Sequence, residues 1–271
     1  MDKMAEPRLT RDGIRIHAPE DFAGMRTAGR MAAQILDEVG PLVAPGVTTG
    51  ALDDFIRNRI AELGLTSATI GYRGYQHASC ISVNHVVCHG IPGEKLLAPG
   101  DILNIDVTVI VDGWFGDSSR MYCAGTPPRK AMRLIEVTHE ALMRGIAAVR
   151  PGATFGDIGA AIQTYAEGQR MSVVRDFCGH GIGRVFHAPP NVLHYGRPGR
   201  GAVLEEGMFF TIEPMINLGG PDTKVLADDW TAVTRDRSLS AQYEHAVGVT
   251  AEGCEVFTLS PAGLYASAFA A

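Results

Sequence analysis

Five side chains that can ligate a metal stand where charged groups are uncommon. They are one histidine and four carboxylates in apolar or glycine-rich stretches: Asp106, Asp117, His180, Glu213 and Glu244. A buried carboxylate is rare unless it is paired or bound to a metal. Imidazole and carboxylate ligands suit divalent transition metals, and an excess of carboxylates suits two bridged metals that drive hydrolysis. The His-Glu-x-x-His pattern of single-zinc peptidases is absent from the sequence.

A predicted hairpin brings two of these carboxylates together. Asp112-Gly113 separates two β-rich runs, which is typical of a two-residue hairpin turn. That turn predicts Asp106 opposite Ser119, with Asp117 as the diagonal neighbour of Asp106 on the same face. Carboxylates this close resist ionisation unless a cation or a shared proton lies between them. From this stretch alone, two solvated aspartates on an exposed strand remain an equal alternative.

An internal repeat relates the two halves of the chain. The stretch "VAPGVTTGALDDFI" (43–56) aligns with "VRPGATFGDIGAAI" (149–162), and "PGDILNID", ending at Asp106, aligns with "EGMFFTIE", ending at Glu213. The two alignments have nearly the same offset, which indicates related halves. Asp106 and Glu213 would then face each other across a pseudo-twofold axis. Chance similarity of a Pro-Gly helix start is the alternative.

Periodicity predicts the elements that position these groups. Helical spacing predicts helices at 21–39, 48–64, 129–149 and roughly 154–170, with Asp21 as a candidate N-cap. β-rich stretches lie at 80–91, around the hairpin, and from about 173 to 259. We predict an α+β fold with an antiparallel sheet core flanked by helices. The predicted organisation is a flexible extension at 1–13, a single domain of two related halves at 14–260, and a tail at 261–271.

Composition narrows the class of protein. The chain has 271 residues, a net charge of -6 and 46% hydrophobic residues, which is ordinary for a globular protein without a nucleic-acid footprint. No apolar run is long enough for a membrane helix, and the N-terminal stretch lacks the apolar core of a signal peptide. The five cysteines are odd in number and scattered, so we expect a reduced, cytoplasmic protein.

Five ordered motifs resemble those of the type I methionine aminopeptidases, which have the pita-bread metallopeptidase fold. The motifs are "VVCHGIP", "NIDVTVIVDGWFGDSSR", "CGHGIGRVFHAPP", "TIEPM" and "DRSLSAQYEH". The resemblance covers about residues 14 to 260 and implies an enzyme that removes the N-terminal methionine from nascent proteins and peptides when the second residue is small. Only 31 positions separate Glu213 from Glu244, which leaves no room for the helical insertion of type II enzymes. The chain is similar to the compact bacterial form.

The resemblance also implies roles for the candidate ligands. Asp117 and Glu244 would bridge two divalent ions, His180 and Glu213 would complete one site, and Asp106 would chelate the other. Cobalt, manganese, iron, zinc and nickel all tolerate such ligands. Glu213 would also carry the proton of the water that attacks the scissile carbonyl.

Two further histidines are implied as catalytic and substrate-binding groups. His89 follows a predicted strand at a Gly-Pro turn, and His187 follows His180 in the same motif. By the resemblance, both contact the scissile amide without ligating metal. A lone histidine is more often structural, so the residue pattern alone does not decide between the two roles.

The resemblance further implies an apolar pocket for the methionine side chain. Its residues would be Tyr72, Tyr75, Cys80, Phe186 and Trp230, together with His89 and His187. Aromatic walls suit an unbranched thioether, and core packing is the alternative for the two tyrosines. The chain departs from the family pattern at Thr69, where many bacterial relatives carry Cys, and at His77, where Lys is usual.

The remaining implications concern partners. The substrate would be a peptide or nascent chain that starts with Met, with association with the ribosome as a further expectation and a monomer as the expected state. A sodium or potassium ion held by the carbonyl groups of Asn84, Val86 and Ser240 is also implied. No nucleic acid or membrane partner is expected. The alternatives are an X-Pro aminopeptidase-like enzyme and a non-catalytic binding protein of the same fold.

Overall fold

The computed structural model describes residues 8–264 as four α-helices, two short 3₁₀ helices (Gly40–Leu42 and Tyr72–Gly74) and a set of antiparallel strands. The helices are α1 (Asp21–Val39), α2 (Thr49–Glu62), α3 (Arg129–Ala147) and α4 (Phe155–Gly168). The strands are β1 (Arg8–Leu9), β2 (Arg15–Ile16), β3 (Thr66–Ser67), β4 (Cys80–Val83), β5 (Val86–Cys88), β6 (Ile102–Val111), β7 (Trp114–Cys123), β8 (Ser172–Val173), β9 (Gly179–Gly181), β10 (Ala188–Val192), β11 (Phe209–Ile212), β12 (Met215–Asn217), β13 (Thr223–Val225), β14 (Ala232–Thr234), β15 (Ser240–Gln242), β16 (His245–Val249) and β17 (Cys254–Val256). This arrangement confirms the predicted α+β class.

The helix boundaries follow from local capping chemistry. α1 covers the predicted span, although its N-cap is Glu20, and Asp21 is instead the first helical residue. The Thr48 side chain caps α2 by accepting a hydrogen bond from the N–H of Ala51 at 3.1 Å. Thr154 and Asp157 form a reciprocal capping box at the start of α4.

Each pair of helices packs on its own part of the sheets. α1 and α2 share a core with β4 and β6, whose buried side chains include Leu36, Ile56 and Leu103. α3 and α4 share a second core with β11 and β12. The helix faces therefore bury both sheet regions and leave their junction for polar groups. The equivalence of the two halves stays a prediction.

The acidic hairpin forms as predicted. Asp112 (φ 49°) and Gly113 (φ 79°) both have positive φ, as a type I′ turn requires, and β6 pairs with β7 along their full length. The register places Asp106 opposite Ser119 and Thr108 opposite Asp117. The turn thus sets which side chains of the two strands share a face.

Long-range pairing brings the other candidate ligands to this hairpin. β11 lies between β9 and β16, so its C-terminal end delivers Glu213 beside His180 and Glu244. A bridge between Ser119 and Glu244 joins the hairpin to the C-terminal half. All five candidate ligands are therefore carried on, or next to, paired strands.

The ends of the chain bear on the predicted domain limits. β1 pairs with β2, so the predicted boundary at residue 14 falls within a short hairpin. Residues 1–7 and 265–271, which belong to the predicted extension and tail, lie outside the described residues. The domain division stays a prediction. Within residues 8–264, none of the helices has the length and apolar character that a membrane span requires.

Candidate metal centre

One cavity of about 360 Å³ collects the predicted ligands. All five line it: Asp106, Asp117, His180, Glu213 and Glu244. Asp117, His180 and Glu244 each offer a ligand atom, and these atoms lie within 4.8 Å of one another. Nε2 of His180 lies 3.5 Å from Oδ2 of Asp117 and 3.8 Å from Oε1 of Glu213. Residues from both halves of the chain thus converge on one point.

Three carboxylates of this cavity, Asp106, Glu213 and Glu244, are destabilised as free anions. Burial raises the pKa of Asp106 and of Glu244 well above its usual value, and repulsion from Asp117 and Glu213 adds to the effect. Burial also raises the pKa of Glu213 to about 7, although the charge of His180 opposes the shift. Cations between these oxygens would compensate the charge, so the donor set fits divalent metals.

The orientation of His180 fits the same conclusion. Its Nδ1 lies 3.1 Å from the carbonyl oxygen of Gly181, which can only accept, so Nδ1 carries a proton in either charge state of the ring. Nε2 faces carboxylate oxygens, so a proton or a metal ion must lie between them. This backbone hydrogen bond is the usual way in which a ligating histidine is oriented.

Two buried threonines hold the ligands in place. The hydroxyl of Thr108 donates to Oδ1 of Asp117 at 2.7 Å. The hydroxyl of Thr211 donates to Oε1 of Glu213 at 2.8 Å and accepts from the N–H of His180 at 3.0 Å. These contacts fix the carboxylates before any metal binds.

These supporting residues were not predicted from the sequence, although a signal existed for some of them. Thr211 stands two positions from a ligand in a strand, as does Gln242, whose amide lies 3.3 Å from Oε2 of Glu213, and alternation puts such residues on the ligand's face. His194 gave no such signal. Its Nε2 accepts the backbone N–H of Glu213 at 3.0 Å from a separate segment.

The two histidines predicted to contact the scissile amide line the same cavity. The ring of His187 lies 4.2 Å from that of His180 between centroids, and the ring of His89 meets Phe177 edge-on at 5.5 Å. Burial lowers the pKa of both, and with the adjacent charge of His180 it brings the pKa of His187 to about 4. Both rings are therefore neutral near pH 7 and can donate or accept a hydrogen bond.

The predicted aromatic pocket adjoins the acidic cluster. Tyr72, Tyr75, Cys80, Phe186 and Trp230 all line the cavity. Ring centroids of Tyr75 and Trp230 lie 4.9 Å apart, and those of Tyr72 and Phe186 lie 5.1 Å apart. Thr69 also lines the cavity, whereas His77 lies against Tyr75 with its Nδ1 3.2 Å from Asp53. An apolar wall beside a carboxylate cluster can bind a side chain and a backbone amine together.

Comparison with known proteins assigns the family. The sequence model of metallopeptidase family M24 matches residues 23–251. The chain belongs to metallopeptidase family M24. This M24 chain is 57% identical to the methionine aminopeptidase of Rickettsia prowazekii over 249 residues, which are 92% of this chain and 96% of the relative. It is 52% identical to the methionine aminopeptidase of Escherichia coli K12 over 248 residues, covering 91% and 94%.

Solved structures of M24 relatives confirm the pita-bread fold that the motifs indicated. The crystal structure of the R. prowazekii methionine aminopeptidase superposes with a TM-score of 0.90 and covers 91% of this chain and 100% of that chain. The prolidase of Pyrococcus horikoshii shares the fold with a TM-score of 0.70 at 17% identity. This chain covers only 63% of that prolidase.

Proposed function

We propose that this protein is a methionyl aminopeptidase, a metal-dependent exopeptidase that removes the N-terminal methionine when the second residue is small. The observation that carries the proposal is the 57% identity to a methionine aminopeptidase over nearly the whole length of both chains. The cavity supports it, because a buried carboxylate cluster adjoins an apolar aromatic pocket. The X-Pro alternative is not favoured, since the prolidase likeness is one of fold alone.

Membership of family M24 implies divalent metal binding. We assign the metal sites to the five clustered residues. Asp117 and Glu244 would be shared by the two ions, His180 and Glu213 would complete one site, and Asp106 would hold the other ion. Bound divalent ions supply Lewis acidity, which lowers the pKa of water and polarises a carbonyl group. Cobalt, manganese, iron, zinc and nickel are the candidate metals.

The chain's own groups then orient the peptide and move the proton. The carboxylate of Glu213, held by Thr211 and Gln242, accepts the proton of the attacking water and passes it to the leaving amine. His89 and His187 are neutral rings that both line the cavity. They hold the scissile amide and donate hydrogen bonds to the developing oxyanion.

The pocket accounts for the preference for methionine. Its aromatic walls offer polarisable contacts to a thioether, and an unbranched chain enters a narrow apolar slot more readily than a branched one. The preference for a small second residue is carried over from the resemblance. The free amine of the substrate lies beside the carboxylate cluster when the side chain fills the pocket, which restricts cleavage to the first residue.

Further assignments rest on the family resemblance. A sodium or potassium ion is assigned to the carbonyl groups of Asn84, Val86 and Ser240, and the N–H of Ser240 does donate to the Asn84 carbonyl at 2.9 Å. The described cysteines are all free, in keeping with a cytoplasmic location. We also assign a monomer that acts on nascent chains at the ribosome.

The test is cleavage by the purified protein with Mn²⁺ or Co²⁺. Met-Ala-Ser should be cleaved and Ala-Pro peptides should not. The reverse preference would establish the X-Pro alternative. A bound-metal content near zero that added metal does not restore would instead indicate a non-catalytic binding protein.

A further inference from the structure

Asp53 is a buried carboxylate that no step of the proposed reaction uses. It lies in α2, and its side chain is only 3% exposed, whereas its neighbour Asp54 is exposed. Burying a carboxylate is costly unless nearby donors compensate the charge. Asp53 has such donors, and most of them belong to the loop that leads from the aromatic pocket into β4.

The contacts of Asp53 tie this loop to one turn of α2. Its Oδ1 accepts the N–H and the hydroxyl of Ser79 at 2.8 and 2.7 Å. Its Oδ2 lies 3.2 Å from Nδ1 of His77 and 3.7 Å from the guanidinium of Arg57. Arg57 in turn donates to the carbonyl of Gln76 at 2.7 Å. Asp53 and Arg57 of α2 thus bind three positions of the loop, which are Gln76, His77 and Ser79.

Two of the groups that contact the Tyr75 side chain lead back to Asp53. The hydroxyl of Tyr75 donates to the carbonyl of Ser79 at 2.8 Å. The ring of Tyr75 packs edge-on against His77, with centroids 5.6 Å apart. The same ring meets Trp230 at 4.9 Å in the wall of the cavity. The position of this wall therefore depends on where Asp53 holds Ser79 and His77.

We propose that Asp53 is a positioning residue that sets the selectivity of the methionine pocket by holding Tyr75 in place. The proposal rests on the proposed function for the identity of the side chain that the pocket binds. Tyr75 faces that side chain, whereas Asp53 makes no hydrogen bond to any of the five candidate ligands; the strand that connects them is β4, which follows Ser79 and pairs with β6 at Asp106. Loss of the Asp53 contacts should therefore raise KM and weaken discrimination against branched side chains, with kcat and bound metal preserved.

The direct test is Asp53→Asn, which keeps the shape and removes the charge and one acceptor. The matched control is Asp54→Asn, the same change on the exposed face of the same helix. Asp53→Asn should raise KM for Met-Ala-Ser roughly tenfold, with kcat within about threefold. The rate on Leu-Ala-Ser should rise relative to Met-Ala-Ser. Asp54→Asn should match the wild type, and an unchanged KM in Asp53→Asn would overturn the proposal.

A double-mutant cycle separates positioning from general destabilisation. Tyr75→Phe removes the hydroxyl that donates to the Ser79 carbonyl but keeps the ring contact with His77, so Asp53→Asn should raise KM less in that background than in the wild type. Additive effects, or a rise in KM accompanied by loss of bound metal, would show that Asp53 does not act through Tyr75. If Asp53→Asn does not fold, His77→Ala is the second variant. It removes the partly exposed imidazole that lies between Asp53 and the Tyr75 ring, and it should also raise KM.

A readout without turnover keeps this test separate from that of the proposed function. Trp230 is half-buried beside Tyr75, whereas Trp114 lies in a hydrophobic core. Acrylamide quenching of tryptophan emission should increase in Asp53→Asn and stay unchanged in Asp54→Asn. If wild type fails on Met-Ala-Ser, the proposed function is wrong, and the quenching result still decides the positioning role. Equal quenching in both variants would overturn it.

Discussion

Removal of the Thr211 hydroxyl should lower the metal affinity of the site although no candidate ligand is replaced. Thr211 is fully buried, and its hydroxyl links the backbone N–H of His180 to the carboxylate of Glu213. Thr211→Val keeps the branched shape and leaves the buried N–H of His180 without its acceptor and Oε1 of Glu213 without its hydroxyl donor. Each loss costs about 1–3 kcal/mol. Because these groups orient two ligands, metal affinity and kcat should each fall roughly 10- to 100-fold.

The control for this prediction is Thr211→Ser, which keeps the hydroxyl and removes one methyl group. It should lower the free energy of unfolding by about 1 kcal/mol while activity stays near that of the wild type. The assay combines metal titration by calorimetry with steady-state hydrolysis of Met-Ala-Ser. If the Val and Ser variants bind metal and turn over equally, the hydroxyl does not orient the ligands and the reasoning is refuted.

Three other predictions address the site and the fold. Asp117→Asn or Glu244→Gln should each abolish turnover and lower the bound metal, because each removes a bridge between two cations; full metal content in both variants would contradict the bridging assignment. His89→Ala should lower kcat and leave metal content unchanged, so metal loss measured by elemental analysis would show that His89 is a ligand. Burial lowers the pKa of His17 from 6.5 to about 4, so its stabilising contribution is complete above pH 6.5 and is lost as the pH falls toward 4. Between pH 7 and pH 5, urea unfolding of the wild type should lose about 2 kcal/mol more than that of His17→Phe, and parallel losses would refute this.

The hairpin is a feature whose geometry can be predicted from the local sequence. A two-residue Asp-Gly turn admits one register, so Asp106 and Asp117 could be assigned to one face before any fold was known. The helices were predicted to within a few residues because apolar periodicity and capping residues act over one or two turns. In contrast, the bridge between Ser119 and Glu244 joins segments far apart in the chain.

The cluster of candidate metal ligands also has one part that the sequence predicts and one part that depends on tertiary packing. The residue types alone predicted a cation site, because buried carboxylates need compensation, and the structure brings the five side chains to one cavity. Their supports were not predictable in the same way. His194 accepts from Glu213 across separate segments of the chain, and only the packing of the C-terminal half decides that this nitrogen faces this N–H.

The contacts of Asp53 are the clearest example of what the sequence does not predict. In the sequence Asp53 is one of two adjacent aspartates in a helix; helical periodicity places Asp53 near the apolar face and Asp54 on the opposite one, but it does not show which groups compensate the buried charge. The loop that carries His77 and Ser79 buries Asp53 and leaves Asp54 in solvent. The turn, the helices and the chemical types of the candidate ligands follow from the sequence alone, because these depend on short-range conformation and residue chemistry. Which polar groups meet across the cavity was decided by tertiary packing, because a hydrogen bond depends on distance in space and not on separation along the chain.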